Sequence, residues 1–240
     1  VVMASFKEVL IAGDVGPLGV RLAPFGRVQP EQARAVFAEQ IAALAEAGAD
    51  LLIIETMTDL YEVREAILAA RQVAPDLPVI ASMTFTRDDR TLLGDNPAKV
   101  ARQMHEFGAD VLGINCSGGP NQLLRILKTM RQTVPNAAYS VMPNAGWPEQ
   151  VSGRIMYPAA PEYFGEYALA LWQAGARFIG GCCGTTPQHI EAMAAAVKNA
   201  DLDGFKNGFT ISVIEREEPE EENLPPTLLA QKLAEGRFVI

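Results

Sequence analysis

Short apolar, β-branched runs alternate along this chain with stretches in which apolar residues recur every three or four positions. The runs at 9–12, 51–55, 79–85, 111–115, 138–142 and 178–181 predict strands. Helical periodicity gathers Ala33, Phe37, Ile41 and Leu44 on one face, and Leu60, Val63, Ile67 and Ala70 on another. Val100, Met104 and Phe107 form a third such face; Ile190, Met193, Ala194 and Val197 form a fourth. Pro30, Pro97 and Pro187 stand where a first helical residue needs no N–H, with Asn96 and Thr186 as N-caps. Asp59 followed by Glu62 predicts a variant of the capping box. Strands and helices alternating at a spacing of about 27–42 residues predict a parallel sheet of βα units. Six such units are visible.

An internal repeat sharpens the picture. Glu46-Ala47-Gly48-Ala49-Asp50, Glu106-Phe107-Gly108-Ala109-Asp110 and Gln173-Ala174-Gly175-Ala176-Arg177 each close a helix and open a strand. Glycine suits such an end because it accepts the left-handed conformation. Seven residues beyond these glycines stand Glu55, Asn115 and Cys182, and eight beyond stand Thr56, Cys116 and Cys183. Equivalent units would place all six at one height, at the C-terminal ends of the strands, where a (β/α)8 barrel carries its active site. A doubly wound open sheet also binds ligands there and is the alternative. The sequence has no Gly-x-Gly-x-x-Gly turn and no phosphate loop, which weighs against that alternative.

Composition narrows the class. Apolar residues make up 49% of the 240, enough for one large core. The net charge of −9 is uneven: residues 201–223 carry eight acids and two bases. Residues 201–226, with the charge run 215–222 and Pro225-Pro226, read as an acidic linker, and 227–240 as the start of a second domain whose body is absent. The chain opens at Val1 and ends at Phe238-Val239-Ile240 inside a strand-like run, so it reads as a piece of something longer. Nothing resembles a phosphate-binding surface, so nucleic acid is not an expected partner. No membrane span or signal peptide is visible, and three cysteines make no disulfide framework. A reducing, cytoplasmic setting is expected. The oligomeric state is left open.

The three cysteines all fall at the ruler positions. Cys116 lies in Gly113-Ile114-Asn115-Cys116-Ser117-Gly118-Gly119-Pro120, and the others in Gly180-Gly181-Cys182-Cys183-Gly184-Thr185-Thr186-Pro187. They are either small buried hydrophobes or converging thiolates that bind a soft metal. Neighbours in a strand point to opposite faces, so Cys182 and Cys183 can share one ion only if the surrounding glycines let the backbone leave strand geometry. Three thiolates with one open position make a catalytic zinc arrangement. An iron–sulfur cluster normally takes four.

These two cysteine motifs resemble those of the homocysteine S-methyltransferases, which include betaine–homocysteine methyltransferase and the homocysteine-binding module of cobalamin-dependent methionine synthase. Gly13-Asp14-Val15-Gly16-Pro17, Ile54-Glu55-Thr56, Ser82-Met83-Thr84-Phe85 and Pro143-Asn144-Ala145-Gly146 are similar as well, so the resemblance runs from about residue 9 to residue 198. It implies a (β/α)8 barrel over residues 1–200, zinc on Cys116, Cys182 and Cys183, and methyl transfer to homocysteine giving methionine. It implies Glu55 as a ligand of the substrate ammonium; a buried structural acid is the other reading. The family's first-strand Asp-Gly-x-Met-Gly-Thr segment is missing together with the second unit, so about six of eight units are expected here, with an N-terminal truncation. The donor is open: S-methylmethionine, S-adenosylmethionine, betaine and methyltetrahydrofolate routes all occur among relatives. Residues 225–240 resemble the junction of bifunctional homocysteine methyltransferase/methylenetetrahydrofolate reductase proteins, which implies FAD and NAD(P)H in the absent domain only. A zinc-binding barrel that no longer catalyses, or a scaffold module, is the alternative.

Other residues are secondary. Asn115 orients either the substrate or a loop, and Thr84 and Asn144 belong to the same pocket rim. Trp147 is a pocket wall or packing. His105 and His189 read as structural.

Overall fold

The computed structural model describes residues 9–151 and 153–199. In chain order these are β1 (Ala12–Val15), α1 (Pro30–Glu46), β2 (Leu51–Met57), α2 (Leu60–Val73), β3 (Val79–Met83), α3 (Pro97–Glu106) and β4 (Val111–Cys116). There follow α4 (Pro120–Thr133), β5 (Ala138–Pro143), β6 (Glu149–Val151), β7 (Arg154–Met156), α5 (Pro161–Gln173), β8 (Ala176–Ile179) and α6 (Pro187–Asn199). The linker 201–226 and the segment 227–240 lie outside the described residues.

Six strands pair in parallel in the order β1-β2-β3-β4-β5-β8. Each βα unit therefore lays its strand beside the previous one, and the order never reverses among the described strands. A doubly wound sheet needs such a reversal, so the topology is that of a barrel wound in one direction. Among the described strands, β1 and β8 each have one neighbour, giving a partial (β/α)8 barrel of six units. β6 and β7 form a separate antiparallel hairpin between β5 and α5.

Side chains alternate across the sheet. Leu52, Ile54, Ala81, Leu112, Ile114, Tyr139 and Val141 are fully buried on the face toward the helices, where Phe37, Ile41, Val63, Ile67, Val100, Met104, Leu123 and Leu127 are also fully buried. Each Val, Leu, Ile, Phe or Met among them contributes about 1.5–3 kcal/mol by leaving water. The opposite face holds a row of small residues, Ser82, Gly113 and Ser140, aligned by register. A Cβ on Gly113 would lie 1.9 Å from Ser82 Oγ, so the row admits no larger residue there. Gly48, Gly108 and Gly175 have φ of 88°, 94° and 104°, the left-handed helix ends that the repeat predicts.

Several sequence expectations shift. The first strand begins at Ala12 rather than residue 9, because Val9, Leu10 and Ile11 are solvent-exposed and pairing starts where Ala12 opposes Leu51. Ile11 instead donates its N–H to the Asp50 carboxylate at 2.7 Å and accepts from Asp50 N at 2.8 Å. Gly13 lets Leu44 close on the strand, since a Cβ would sit 3.1 Å from it. β8 lies two residues earlier than expected and stops at Ile179, before the glycines. The expected α6 face is only partly covered, with Ile190 46% exposed, because it lies beside an edge strand. The helices α4 and α5 and the hairpin carry no face singled out from the sequence.

Asn96 caps α3 by accepting from Lys99 N at 2.8 Å, as expected. The box at α2 is only half formed: Asp59 accepts from Tyr61 N at 2.7 Å, but Glu62 takes the Leu18 N–H at 2.6 Å and pins the β1–α1 loop. Burial holds the Glu62 carboxyl above its ordinary value of 4.5, against the lowering effect of the Leu18 bond. A carboxyl raised by folding gives stability that is complete below the unfolded value and declines as pH rises through the folded one. Glu62→Gln keeps an oxygen for Leu18, so its melting temperature should fall less than the parent's as pH rises from about 4.5. Parallel slopes in the two proteins would contradict this.

Candidate metal centre

β4 ends in Asn115-Cys116, and the loop after β8 carries Cys182 and Cys183. The three Sγ atoms lie within 4.8 Å of one another, with Cys182 and Cys183 at 3.9 Å. Cys116 and Cys182 are half-buried and Cys183 is exposed. Adjacent cysteines converge because the strand has already ended: β8 stops at Ile179, and Gly184 takes φ 77°. Cys182 N still donates to Pro143 O at 2.8 Å, which keeps the loop against the end of β5. The Cys182 thiol, hydrogen-bonded to Cys116, pulls the Cys116 pKa down to about 6, against burial and with help from Asn144. The same pairing pushes the Cys182 thiol up.

The ruler positions do share one height. Asn115 Nδ2 donates to Glu55 Oε2 and to Thr56 Oγ1 at 2.7 Å, and lies 4.0 Å from Cys182 Sγ. Its Oδ1 accepts from Thr56 N at 2.9 Å. Thr56 Oγ1 also donates to Glu55 Oε2 at 2.7 Å, so one carboxylate oxygen holds both bonds. Among the described residues, nothing donates to Oε1. Glu55 therefore presents one fixed, free oxygen at the mouth, and Asn115 is the residue that fixes it. Asp14 stands on the neighbouring strand; burial and then the Glu55 charge hold its carboxyl above the usual range.

Backbone strain concentrates here. Thr56, Cys116 and Ser117 have φ of 56°, 57° and 53°, a region costly to non-glycine residues by about 1 kcal/mol or more each. Side chains over-determine it: Asn115 Oδ1 takes the Thr56 N–H, and Ser117 Oγ takes Phe85 N–H at 2.7 Å. Thr84 Oγ1 donates to Asn115 O at 3.1 Å, so it supports the β4 end.

Asn144 does more than line a rim. It is 3% exposed, its Nδ2 donates to Cys116 Sγ at 3.6 Å, and its Oδ1 accepts from Cys183 N at 3.1 Å. One amide thus joins the two cysteine loops. Tyr157, which the sequence reading passed over, lies beside Cys183, and no sequence signal within its own segment points there. Its phenol is held above the ordinary range by burial and by Cys183. Trp147 stacks under the Arg87 guanidinium at 4.6 Å. His189 is buried and structural: Nδ1 accepts from Thr186 N at 3.1 Å, so Nε2 carries the proton toward Ala159 O at 3.0 Å. His105 sits in the last turn of α3, away from the strand ends.

Three thiols with a soft-metal donor set fit a zinc ion. Zinc–sulfur bonds of about 2.3 Å in a tetrahedron put sulfurs about 3.8 Å apart, close to the 3.9 Å of Cys182 and Cys183. Among the described residues, this is the one cluster of three metal-ligating side chains. No described helix is long and apolar enough to cross a membrane.

Residues 2–197 match the family model described as homocysteine S-methyltransferase. A methionine synthase of Mycobacterium tuberculosis is 33% identical over 199 residues, covering 80% of this chain and 16% of that protein. A methionine synthase of Mycobacterium leprae is 33% identical over 193 residues, covering 78% and 16%. Among solved structures, the apo homocysteine methyltransferase MmuM of Escherichia coli superimposes with a TM-score of 0.62 at 29% identity, covering 78% of this chain and 63% of that one. Its metallated form gives 0.60 at 28% identity, covering 78% and 61%. The chain spans 16% of the length of the curated relatives it matches.

Proposed function

The chain belongs to the homocysteine S-methyltransferase family, and on that premise we propose that it transfers a methyl group from a donor to the thiol of homocysteine, giving methionine, with zinc held by Cys116, Cys182 and Cys183. The observation that carries this reading is the convergence of three thiols within 4.8 Å at the strand ends, with a free carboxylate oxygen at the same height. A metallated form of the Escherichia coli relative supports a metal at this family's site.

Bound zinc would leave a fourth position for the substrate thiol and lower its pKa, so that a thiolate exists at neutral pH. The chain's own residues do the rest. Three cysteines would hold the ion, and Asn144 and Asn115 orient two of them. Glu55 Oε1 anchors the substrate ammonium, and Asn115 and Thr56 prevent Glu55 from swinging away. A substrate tethered at its ammonium and at its sulfur is aligned for in-line attack, the positioning on which such a displacement depends. The sulfur–methyl bond forms as the donor–methyl bond breaks, and the thiol proton goes to solvent.

The test is zinc stoichiometry of the purified protein together with homocysteine methylation assayed with sulfonium, quaternary ammonium and folate donors. About one zinc per chain with turnover on one donor supports the reading. Zinc without turnover on any donor would favour a binding or scaffold module. Glu55→Gln should raise KM for homocysteine roughly tenfold through loss of a charged hydrogen bond, with zinc content and kcat little changed. An unchanged KM would remove Glu55 from the substrate site. A methylenetetrahydrofolate reductase portion following residue 226, with FAD and NAD(P)H there, is our reading for the longer protein, and it rests on residues 225–240 alone. Mass spectrometry and flavin absorbance of the natural full-length product would check it.

A further inference from the structure

The Asn115 side chain meets more acceptors than it has protons. Its amide nitrogen has two N–H bonds, and three acceptors converge on it: Glu55 Oε2, Thr56 Oγ1 at 2.7 Å and Cys182 Sγ at 4.0 Å. Turning the amide over would not relieve this, because Oδ1 is held by Thr56 N at 2.9 Å. The backbone is pinned as well. Asn115 O accepts from Thr84 Oγ1 at 3.1 Å and from Ser117 Oγ at 3.2 Å, and the residue is fully enclosed. The sulfur holds the longest of the three bonds.

Among the described residues, Asn115 is the one whose side chain bonds both to the Glu55 carboxylate and to a clustered cysteine. Asn144 serves Cys116 and Cys183 but reaches no acid. What occupies the site changes the competition for the two amide protons. A metal converts the Cys182 thiol to thiolate, and a charged acceptor takes a hydrogen bond more strongly than a neutral one. An ammonium on the free Glu55 Oε1 offsets part of the carboxylate charge and weakens Oε2 as an acceptor. Both events draw the Asn115 protons toward Cys182, so each favours the other.

We propose that Asn115 couples the two halves of the site: an amino-acid ammonium on Glu55 tightens the metal on Cys182, and the metal tightens the ammonium. The proposal rests on the readings that the three cysteines hold a metal and that Glu55 anchors the ammonium. Direct repulsion between the two cations acts in the opposite direction, so the sign of the effect identifies the route.

The probe is 2-aminobutyrate, which is homocysteine without its sulfur and therefore reaches Glu55 without ligating through a thiol. Zinc affinity is read by competition with a chromogenic chelator, with and without 2-aminobutyrate raised to saturation by calorimetry in each protein. The amino acid should tighten zinc about fivefold, the lower end of the range for coupled sites. In Asn115→Ala that ratio should fall to about one; the same solutions serve both proteins, so chelation of zinc by the amino acid itself cancels. Thr56→Val removes one of the three acceptors, leaves Asn115 in place and should also bring the ratio toward one. A merely structural Asn115 would change zinc affinity in the absence of the amino acid and leave the ratio at its parental value. A ratio of one or below in the parent, or a parental ratio in Asn115→Ala, would overturn the proposal. Failure of 2-aminobutyrate to bind the zinc-loaded parent would overturn the Glu55 anchor instead, and failure of the parent to bind zinc would overturn the metal reading.

Discussion

Replacing Cys183 by alanine is expected to abolish zinc retention through dialysis and, with it, homocysteine methylation. Zinc sites of this kind bind with about 10–16 kcal/mol, so one ligand of three or four contributes roughly 3–4 kcal/mol, or about 10²–10³ in affinity. Cys183 is the most exposed of the three thiols and packs no core. The metal-free variant should therefore melt within about 0.5 kcal/mol of the metal-free parent. That comparison separates loss of a ligand from loss of a fold. Unchanged zinc content, measured by elemental analysis, would mean that the ligand set is wrong.

Asn144→Ala should be the next most damaging change, although Asn144 is not placed as a ligand. Its amide bridges Cys116 Sγ and Cys183 N, and its own N–H donates to Gly118 O at 3.0 Å. Truncation leaves Cys183 N without its acceptor in a half-buried setting, at a cost of about 1–3 kcal/mol. It also removes a hydrogen bond that lowers the Cys116 pKa. Zinc affinity should fall about 10- to 100-fold, with one zinc per chain still reached at saturation. Competition with a chromogenic chelator reads the affinity, and thermal melting reads the stability. Parental values in both would show that the two cysteine loops are held by their backbones alone.

The height of the site was legible because it is encoded locally. A left-handed glycine follows α1, α3 and α5, and a fixed count of residues then carries the chain to the strand ends, so Glu55, Asn115 and Cys182 could be aligned without any structure. Their contacts bear that out. The first strand was misplaced because an apolar run ordinarily marks burial, whereas Val9, Leu10 and Ile11 precede the paired segment and face solvent. Gly13-Asp14-Val15, with a glycine and an acid, carries no strand signal, yet it is the pairing segment. Asp59 and Glu62 had the spacing of a capping box, but a loop amide 44 residues away competes for the glutamate. The bridging role of Asn144 and the placement of Tyr157 were illegible for a related reason. Both sit in a loop without periodicity, and Asn144 meets its partners 28 and 39 residues away. Only the folded sheet brings those partners together.

The loop from Asn144 to Ala160 touches the Cys116 side through Gly118 and Trp147, and the Cys183 side through Ala145, Asn144 and Tyr157. The β1–α1 loop, by contrast, is tied to the neighbouring unit through Leu18 and Glu62 and has no described contact with a cysteine. These two mouth loops differ accordingly as sites for redesign. Exchanging the first for a relative's sequence would reset the metal chemistry along with whatever specificity was sought. The second can be lengthened or replaced while the thiols keep their partners, so a library aimed at new methyl donors belongs there.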